Sequence, residues 1–312
     1  MNILVSAIGS MSSEAVIKSL RRIENVKIIG CDIYKAKWIY PSKLVDVFYQ
    51  VSRADSFTYI NDIIDICLKE NIEYFFPLTD LEIDILTEYR YLFDNNGIVL
   101  CISSSDTINI CRDKKKLFDF LSNTKGLLLL PTYNYENICN CVNFDHFVAK
   151  PKKGRSSEGL YIFDDIKKLD ILIKDKQSYI FQPYIKGSIN TIDVVVDTFN
   201  NLFFVSREEL IRTKNGAGIT VRLFNEERLY QSIKSLTNKI NFTGCFNVEF
   251  IFNGDDYLLM DINPRFSAGI AFSQSVGYDF VRNHLKAFMH EKIDPPLNYK
   301  ERIICKRYIE YF

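Results

Sequence analysis

From Ile3 to Ile102 the chain alternates short apolar runs with amphipathic stretches: Ile3–Val5, Glu14–Arg22, Val26–Cys31, Tyr59–Glu70, Tyr74–Leu78, Glu82–Leu92 and Ile98–Ile102. Short apolar runs bounded in this way read as buried strands, and parallel strands need a crossover element between them. The rhythm therefore predicts a parallel sheet covered by helices on both faces. Gly9 follows the first strand and Asp32 ends the second, where a dinucleotide-binding fold would set its phosphate turn and ribose acid. The turn reads Ala7-Ile-Gly-Ser-Met-Ser-Ser13, without a second or third glycine, so the NAD(P) fingerprint is absent.

Composition narrows the function classes. The 312 residues are 47% hydrophobic, enough for ordinary cores in two or three domains or one large composite, and 39 basic residues balance 39 acidic ones. No global field thus points to nucleic acid or an anionic membrane. No apolar run has the length of a membrane span, and the start Met1-Asn-Ile-Leu-Val-Ser6 lacks the basic segment and cleavage site of a secretory signal, so a cytoplasmic protein is expected. The eight cysteines are scattered and read as mostly buried thiols; with three histidines and Cys139-Asn-Cys141 as the only close pair, neither a zinc ribbon nor a disulfide framework is indicated.

Beyond Ser103 the texture changes to a polar link, a charged helix opening at Arg112-Asp-Lys-Lys-Lys116, and a second set of strands. Phe147–Pro151 and Leu160–Phe163 flank Lys152-Lys-Gly-Arg-Ser-Ser-Glu-Gly159. Such a loop can cover phosphates with backbone N–H groups, or can be a plain hairpin turn; its spacing is not that of a Walker loop. Tyr179–Ile185, Thr191–Asp197 and Leu202–Val205 read as strands, Glu227–Ile240 as a helix, and Ile303–Ile309 as a last apolar run. The turn cluster Asn253-Gly-Asp-Asp256 makes Phe246–Phe252 and the strand from Tyr257 an antiparallel hairpin. If it centres on Asp255, Glu249 lies opposite Asp261. Period two puts Leu259, Asp261 and Asn263 on one face and Leu258, Met260 and Ile262 on the other. Two carboxylates and an amide oxygen would then converge as a hard-cation site, although a solvated face of a half-buried hairpin shows the same alternation.

The order of these pieces resembles the ATP-grasp superfamily over nearly the whole chain: Asp113-Lys114, Val148-Ala-Lys-Pro151 with its Gly/Ser loop, Gln182-Pro-Tyr-Ile-Lys-Gly187, Asn247-Val-Glu249 and Asp261-Ile-Asn-Pro-Arg265. The branch it looks most like is that of the carbamoyl phosphate synthetase large subunit, whose strand ends in Met-Asn-Pro-Arg after an acid, much as Met260-Asp-Ile-Asn-Pro-Arg265 does. The resemblance implies an α/β and α+β chain with a Rossmann-like domain over 1–105, a small ATP-grasp subdomain with a phosphate flap over 106–185 and a C-terminal subdomain with the metal site over 186–312. It implies ATP with Mg²⁺ or Mn²⁺. Carried over residue by residue, Lys114 and Lys150 hold the phosphates, and Ser156, Ser157 and Gly159 belong to the flap. Gln182, Pro183, Tyr184 and Ile185 form the hinge against adenine, with the Pro183 carbonyl and the Ile185 N–H as its base-pairing edge. Asn190 stands where relatives commonly place a ribose-binding glutamate, and Lys214 falls near another phosphate-facing position. Glu249, Asp261 and Asn263 become the metal ligands. Arg265 is placed to orient the transferring phosphoryl group, with a purely structural arginine as the competing reading.

The activity so implied is a carboxylate–amine ligase. A carboxylate attacks the γ-phosphate, giving an acyl phosphate and ADP, and an amine or similar nucleophile captures it. The expected partners are small molecules and neither nucleic acid nor membrane, with a homodimer left open. A phosphotransferase that stops at the phosphorylated product and a non-catalytic nucleotide-binding regulator are the rivals. A complete carbamoyl phosphate synthetase is excluded by length, since such chains contain two grasp units. The acceptor stays undefined because Arg207, Arg212 and Arg222 are equally eligible anion binders at this level.

Overall fold

The computed structural model describes residues 1–141, 146–154 and 157–311. The N-terminal unit comprises β1 (Asn2–Val5), α1 (Ser13–Leu20), β2 (Lys27–Asp32), β3 (Val47–Gln50), α2 (Tyr59–Lys69), β4 (Tyr74–Phe76), α3 (Asp80–Glu88), α4 (Arg90–Asn95) and β5 (Val99–Leu100). Its strands pair in parallel in the order β3-β2-β1-β4-β5. Ile63 of α2 and Ile83 of α3 pack with Leu4, Ile29 and Phe75 on one face; Val16, Ile17 and Leu20 of α1 pack with Ile3, Val5 and Ile28 on the other. The βαβ rhythm is thus realised. Two details differ from the sequence reading. The edge strand β3 went unanticipated because its residues are only partly buried and carry no clean period. The segment expected as one helix, Glu82–Leu92, divides at Tyr89, whose backbone (φ −104°, ψ 15°) leaves the helical region. α3 begins where it does because Thr79 and Glu82 form a capping box: the Thr79 N–H and hydroxyl both donate to Glu82 Oε2, at 3.2 and 2.7 Å.

The rest of the chain follows as α5 (Ser105–Cys111), α6 (Lys114–Leu121), β6 (Phe147–Pro151), β7 (Tyr161–Phe163), α7 (Leu169–Leu172), β8 (Tyr179–Pro183), β9 (Ser188–Val196), β10 (Leu202–Arg212), β11 (Gly218–Phe224), α8 (Glu227–Lys239), β12 (Gly244–Phe252), β13 (Tyr257–Asn263), α9 (Ile270–Gln274), α10 (Phe280–Phe288) and β14 (Arg302–Cys305). A three-stranded antiparallel sheet, β7-β6-β8, faces a six-stranded antiparallel one, β13-β12-β9-β10-β11-β14, across the cleft described below. Behind the larger sheet, Ile192, Val194, Phe246, Val248 and Phe250 pack on Leu229, Ile233 and Leu236 of α8. Cys111 of α5 and Leu117 and Leu121 of α6 join that core, so these helices pack with the larger sheet. Among the described residues five cysteines are buried free thiols and Cys305 is exposed. No helix among the described residues is long and apolar enough to cross a membrane.

His284 of α10 ties the two halves of the chain together. Its Nδ1 accepts the Cys245 N–H at 2.8 Å, and Nε2 lies 3.2 Å from the Cys101 carbonyl. Burial drives its pKa down to about 3, against a weaker opposing effect of the Cys101 carbonyl. The folded state therefore holds a neutral imidazole whose pKa is below the unfolded value. Its contribution is complete above about pH 6.5 and is lost as pH falls toward the folded pKa. Urea unfolding at pH 7 and pH 5 should show stability falling by up to ~1.4 kcal/mol per pH unit below 6.5. His284→Gln should flatten that slope; an unchanged slope would assign the acid sensitivity elsewhere.

Candidate active site

The hairpin places Glu249 of β12 opposite Asp261 of β13, and Asn247 opposite Asn263. The register then slips: Phe250 pairs with Leu259, and Met260 is left without a partner as a β-bulge. The bulge corrects the period-two expectation. Leu259 does not share a face with Asp261; it sits with Ile262 in the core behind the sheet. Because the bulge absorbs one residue, Asp261 and Asn263 both turn to the front, where they line a cleft of about 1080 Å³.

Three cations surround the two acids. Lys114, the first residue of α6, reaches Asp261 Oδ2 at 3.3 Å. Its helix start is fixed by the Asp113 cap on the Lys116 N–H and by the Lys114 N–H donating to the Lys152 carbonyl at 2.8 Å. Lys150 projects from β6, and burial lowers its pKa to about 8; Asp261 opposes the fall, Lys114 adds to it, and Glu249 opposes it again. At neutral pH it remains mostly an ammonium. Arg212 donates Nη2 to Glu249 Oε1 at 3.0 Å, while its Nε is held by the Gly216 carbonyl at 2.9 Å. Three positive groups on two carboxylates leave net positive charge, suited to a polyanion that brings its own cation. Among the described residues no group of three or more His, Cys, Asp or Glu could hold a metal. The two acids and the Asn263 oxygen fit Mg²⁺, which takes few protein ligands and completes its octahedron with phosphate oxygens and water.

Several assigned residues occupy other places. Arg265, expected on the phosphoryl group, closes its guanidinium fork on Asp80 at the start of α3, with Nε–Oδ1 2.8 Å and Nη2–Oδ2 2.7 Å. Burial would raise the Asp80 carboxyl, but Arg265, then Arg112 at 3.4 Å and Lys114, hold it at about 2. Arg265 still lines the cleft, yet its main contact is a latch between the N-terminal unit and the end of β13. Asn190 is buried with its amide on the Ser188 carbonyl at 3.1 Å, outside the cleft lining; its strand neighbours Ile189 and Thr191 face the cleft instead. Lys214 is exposed in the β10–β11 turn, outside that lining, and Arg212 supplies the cation there. In the flap, Gly154 and Ser157 line the cleft, whereas Gly159 serves the turn itself. It has φ +69°, and a Cβ would meet Pro151 at 3.0 Å. Ser156 lies outside the described residues. Of the undecided arginines, Arg222 is turned outward onto Glu208 at 2.8 Å, and Arg207 is buried against Asp193, Glu209, Ser267 and Ser273.

At the other end of the cleft Gln182, Pro183, Tyr184 and Ile185 all contribute to the lining. The Tyr184 N–H donates back to the His146 carbonyl at 2.9 Å, so by the alternation of an antiparallel ladder the Pro183 carbonyl points to the other edge of β8. Gln182 Nε2 donates to Thr132 Oγ1 at 2.8 Å, and its Oε1 is buried without a partner. A buried acceptor of this kind is destabilising until a donor arrives, which a base with an exocyclic amine provides.

Residues 111–269 match the family model of the ATP-grasp domain. The chain belongs to the ATP-grasp family of ATP-dependent ligases. Residues 3–101 match the PylC-like N-terminal domain, so the family assignment covers both the parallel-sheet unit and the cleft. The chain is 24% identical to the D-alanine--D-alanine ligase of Petrotoga mobilis over 61% of its own length and 73% of the relative's. It is 21% identical to the carbamoyl phosphate synthase large chain of Clostridium acetobutylicum over 58% of its length, but spans only 19% of that much longer protein. The biotin carboxylase domain of the Hydrogenobacter thermophilus 2-oxoglutarate carboxylase, solved with MgADP, ADP and bicarbonate, superposes with a TM-score of 0.81 at 16% identity, covering 97% of this chain and 74% of that one. At that identity the superposition speaks for the fold.

Proposed function

We propose that this ATP-grasp protein is an ADP-forming carboxylate–amine ligase whose chemistry centres on Lys150 and the Glu249/Asp261 pair. The observation that carries the reading is the convergence of those acids with Lys114, Lys150 and Arg212 at one end of a cleft whose other end is a strand terminus with an unsatisfied acceptor, Gln182 Oε1. Such a cleft suits a nucleotide lying from hinge to carboxylates. Lys150 and Lys114 then neutralise the phosphate oxygens, Lys150 with little loss of freedom because it stands on a strand. Gly154 and Ser157, which line the cleft, stand beside the phosphates and help keep water from the reacting groups, so that an acyl phosphate is captured by an amine and not hydrolysed. A divalent cation, Mg²⁺ or Mn²⁺, would be held by Glu249, Asp261 and the Asn263 oxygen and would spread the charge that builds on the transferring phosphate. Arg265, held on Asp80, keeps the end of β13 in register with the N-terminal crevice. The partners in this reading are two small molecules, a carboxylate and an amine.

The test is a panel of carboxylic acids incubated with ATP, Mg²⁺ and hydroxylamine. An acyl phosphate intermediate gives ADP and a hydroxamate together without the natural amine. Pyrophosphate and AMP across the active acids would contradict the reading.

The hinge makes a second prediction. The Pro183 carbonyl accepts from the adenine amine but faces the O6 of guanine unfavourably. GTP should bind more weakly than ATP by about 1–3 kcal/mol. Equal affinities in calorimetry would place the base elsewhere in the cleft.

A further inference from the structure

Glu209 lines the cleft from β10 with half of its carboxylate unused. Its side chain is 2% exposed; Oε1 accepts Arg207 Nε at 3.0 Å, and Oε2 is buried with no hydrogen-bond partner. Arg207 fixes the side chain, and because it pairs with Asp193 as well, Lys306 supplies the second cation that offsets the two carboxylates beside a polyphosphate. Gly218 leaves the room, since a Cβ there would collide with Glu209 Oε2. Lys306, whose charge also acts on Glu209, keeps its Nζ 3.5 Å from the Ala268 carbonyl.

The sheet gives Glu209 an address. Glu249, Thr191 and Arg207 lie level across β12, β9 and β10. Ile251 pairs with Ile189, and Glu209, next to the Asn190–Glu208 pair, comes level with them. That level is two residues, about 6.6 Å, from the Glu249 level. It lies on the side of the hinge, because β9 starts at Ser188, directly after Gly187. A nucleotide stretched from hinge to carboxylates has its sugar at this level. Ile251 and Ile189 also face the cleft there but offer no polar atom, and Asn190 faces the other way.

We propose that Glu209 Oε2 accepts a ribose hydroxyl of the bound nucleotide. The assignment rests on the nucleotide reading above. Calorimetry with wild-type protein and Mg²⁺ should show 2′-deoxyATP or 3′-deoxyATP binding about ten-fold or more weakly than ATP, as for the loss of one hydrogen bond to a charged acceptor. Glu209→Ala should weaken ATP binding by a similar factor and bind all three nucleotides alike. Glu209→Gln, which keeps the shape, guards against a folding defect and should narrow the discrimination. Equal binding of the three nucleotides by wild-type protein overturns the proposal while leaving the nucleotide reading in place, as does discrimination that persists undiminished in both variants. If wild-type protein bound none of the three, both would fall.

Discussion

Asp261→Asn and Glu249→Gln are each expected to lower nucleotide turnover by roughly 10³-fold or more while leaving the fold intact. Each change keeps the shape and removes one negative charge from a site that must hold a divalent cation against the phosphates. The structural cost should be small. Both acids are partly exposed and each pairs with one cation, Lys114 or Arg212, at 3.3 and 3.0 Å. Partly exposed pairs contribute under about 1 kcal/mol, so Tm should move by no more than about 3 °C. Thermal melts and steady-state ADP release on the same samples read both quantities. A folded double variant with undiminished turnover would remove the metal assignment.

Asp80→Ala is expected to destabilise the protein by up to about 3 kcal/mol, because it leaves Arg265, whose side chain is 19% exposed, without the buried carboxylate that holds it. Arg265 and Arg112 both converge on that carboxylate, at 2.7 and 3.4 Å. Arg112 retains Asp84 at 2.7 Å; Arg265 keeps only the Phe266 carbonyl at 3.1 Å and a long contact to Asn263. An apolar double replacement, Asp80→Leu with Arg265→Met, should recover much of the loss, since replacing both members of a buried pair is milder than breaking it. Urea unfolding of the single and double variants measures the difference. Equal destabilisation by the single and double changes would show that the latch is not the main contact of Arg265.

What was legible in the sequence was local. The hairpin itself follows from one turn cluster, in which Asn253 accepts the Asp255 and Asp256 N–H groups, but that turn sets Phe252 opposite Tyr257 and alone would put Met260 opposite Glu249; the pairing with Asp261 comes from the bulge. The bulge at Met260 was not legible, since a methionine suits either face and the slip is decided by core packing of Leu259 and Ile262. Asp80 gave no signal because its partner, Arg265, is 185 residues away in sequence. Glu209 was passed over for a related reason. The apolar run of β10 stops at Val205 in the sequence, and only the sheet shows that the strand continues to Arg212 and turns Arg207 inward among Asp193 and two serines, with Glu209 beside it. Asn190 was placed by counting from Gly187; the pleat, which sends alternate residues to opposite faces, gave the cleft to Ile189 and Thr191.

Oxygen-18 transfer from the substrate carboxylate tests the central claim most directly. With an acid identified by the hydroxamate panel and labelled in its carboxylate oxygens, turnover with ATP and the amine should place one label in inorganic phosphate and none in the nucleotide. That result follows if the carboxylate attacks the γ-phosphorus held between Lys150 and the Glu249/Asp261 pair. Label appearing in AMP would show attack at the α-phosphorus and an adenylate intermediate, and would contradict this account of the site.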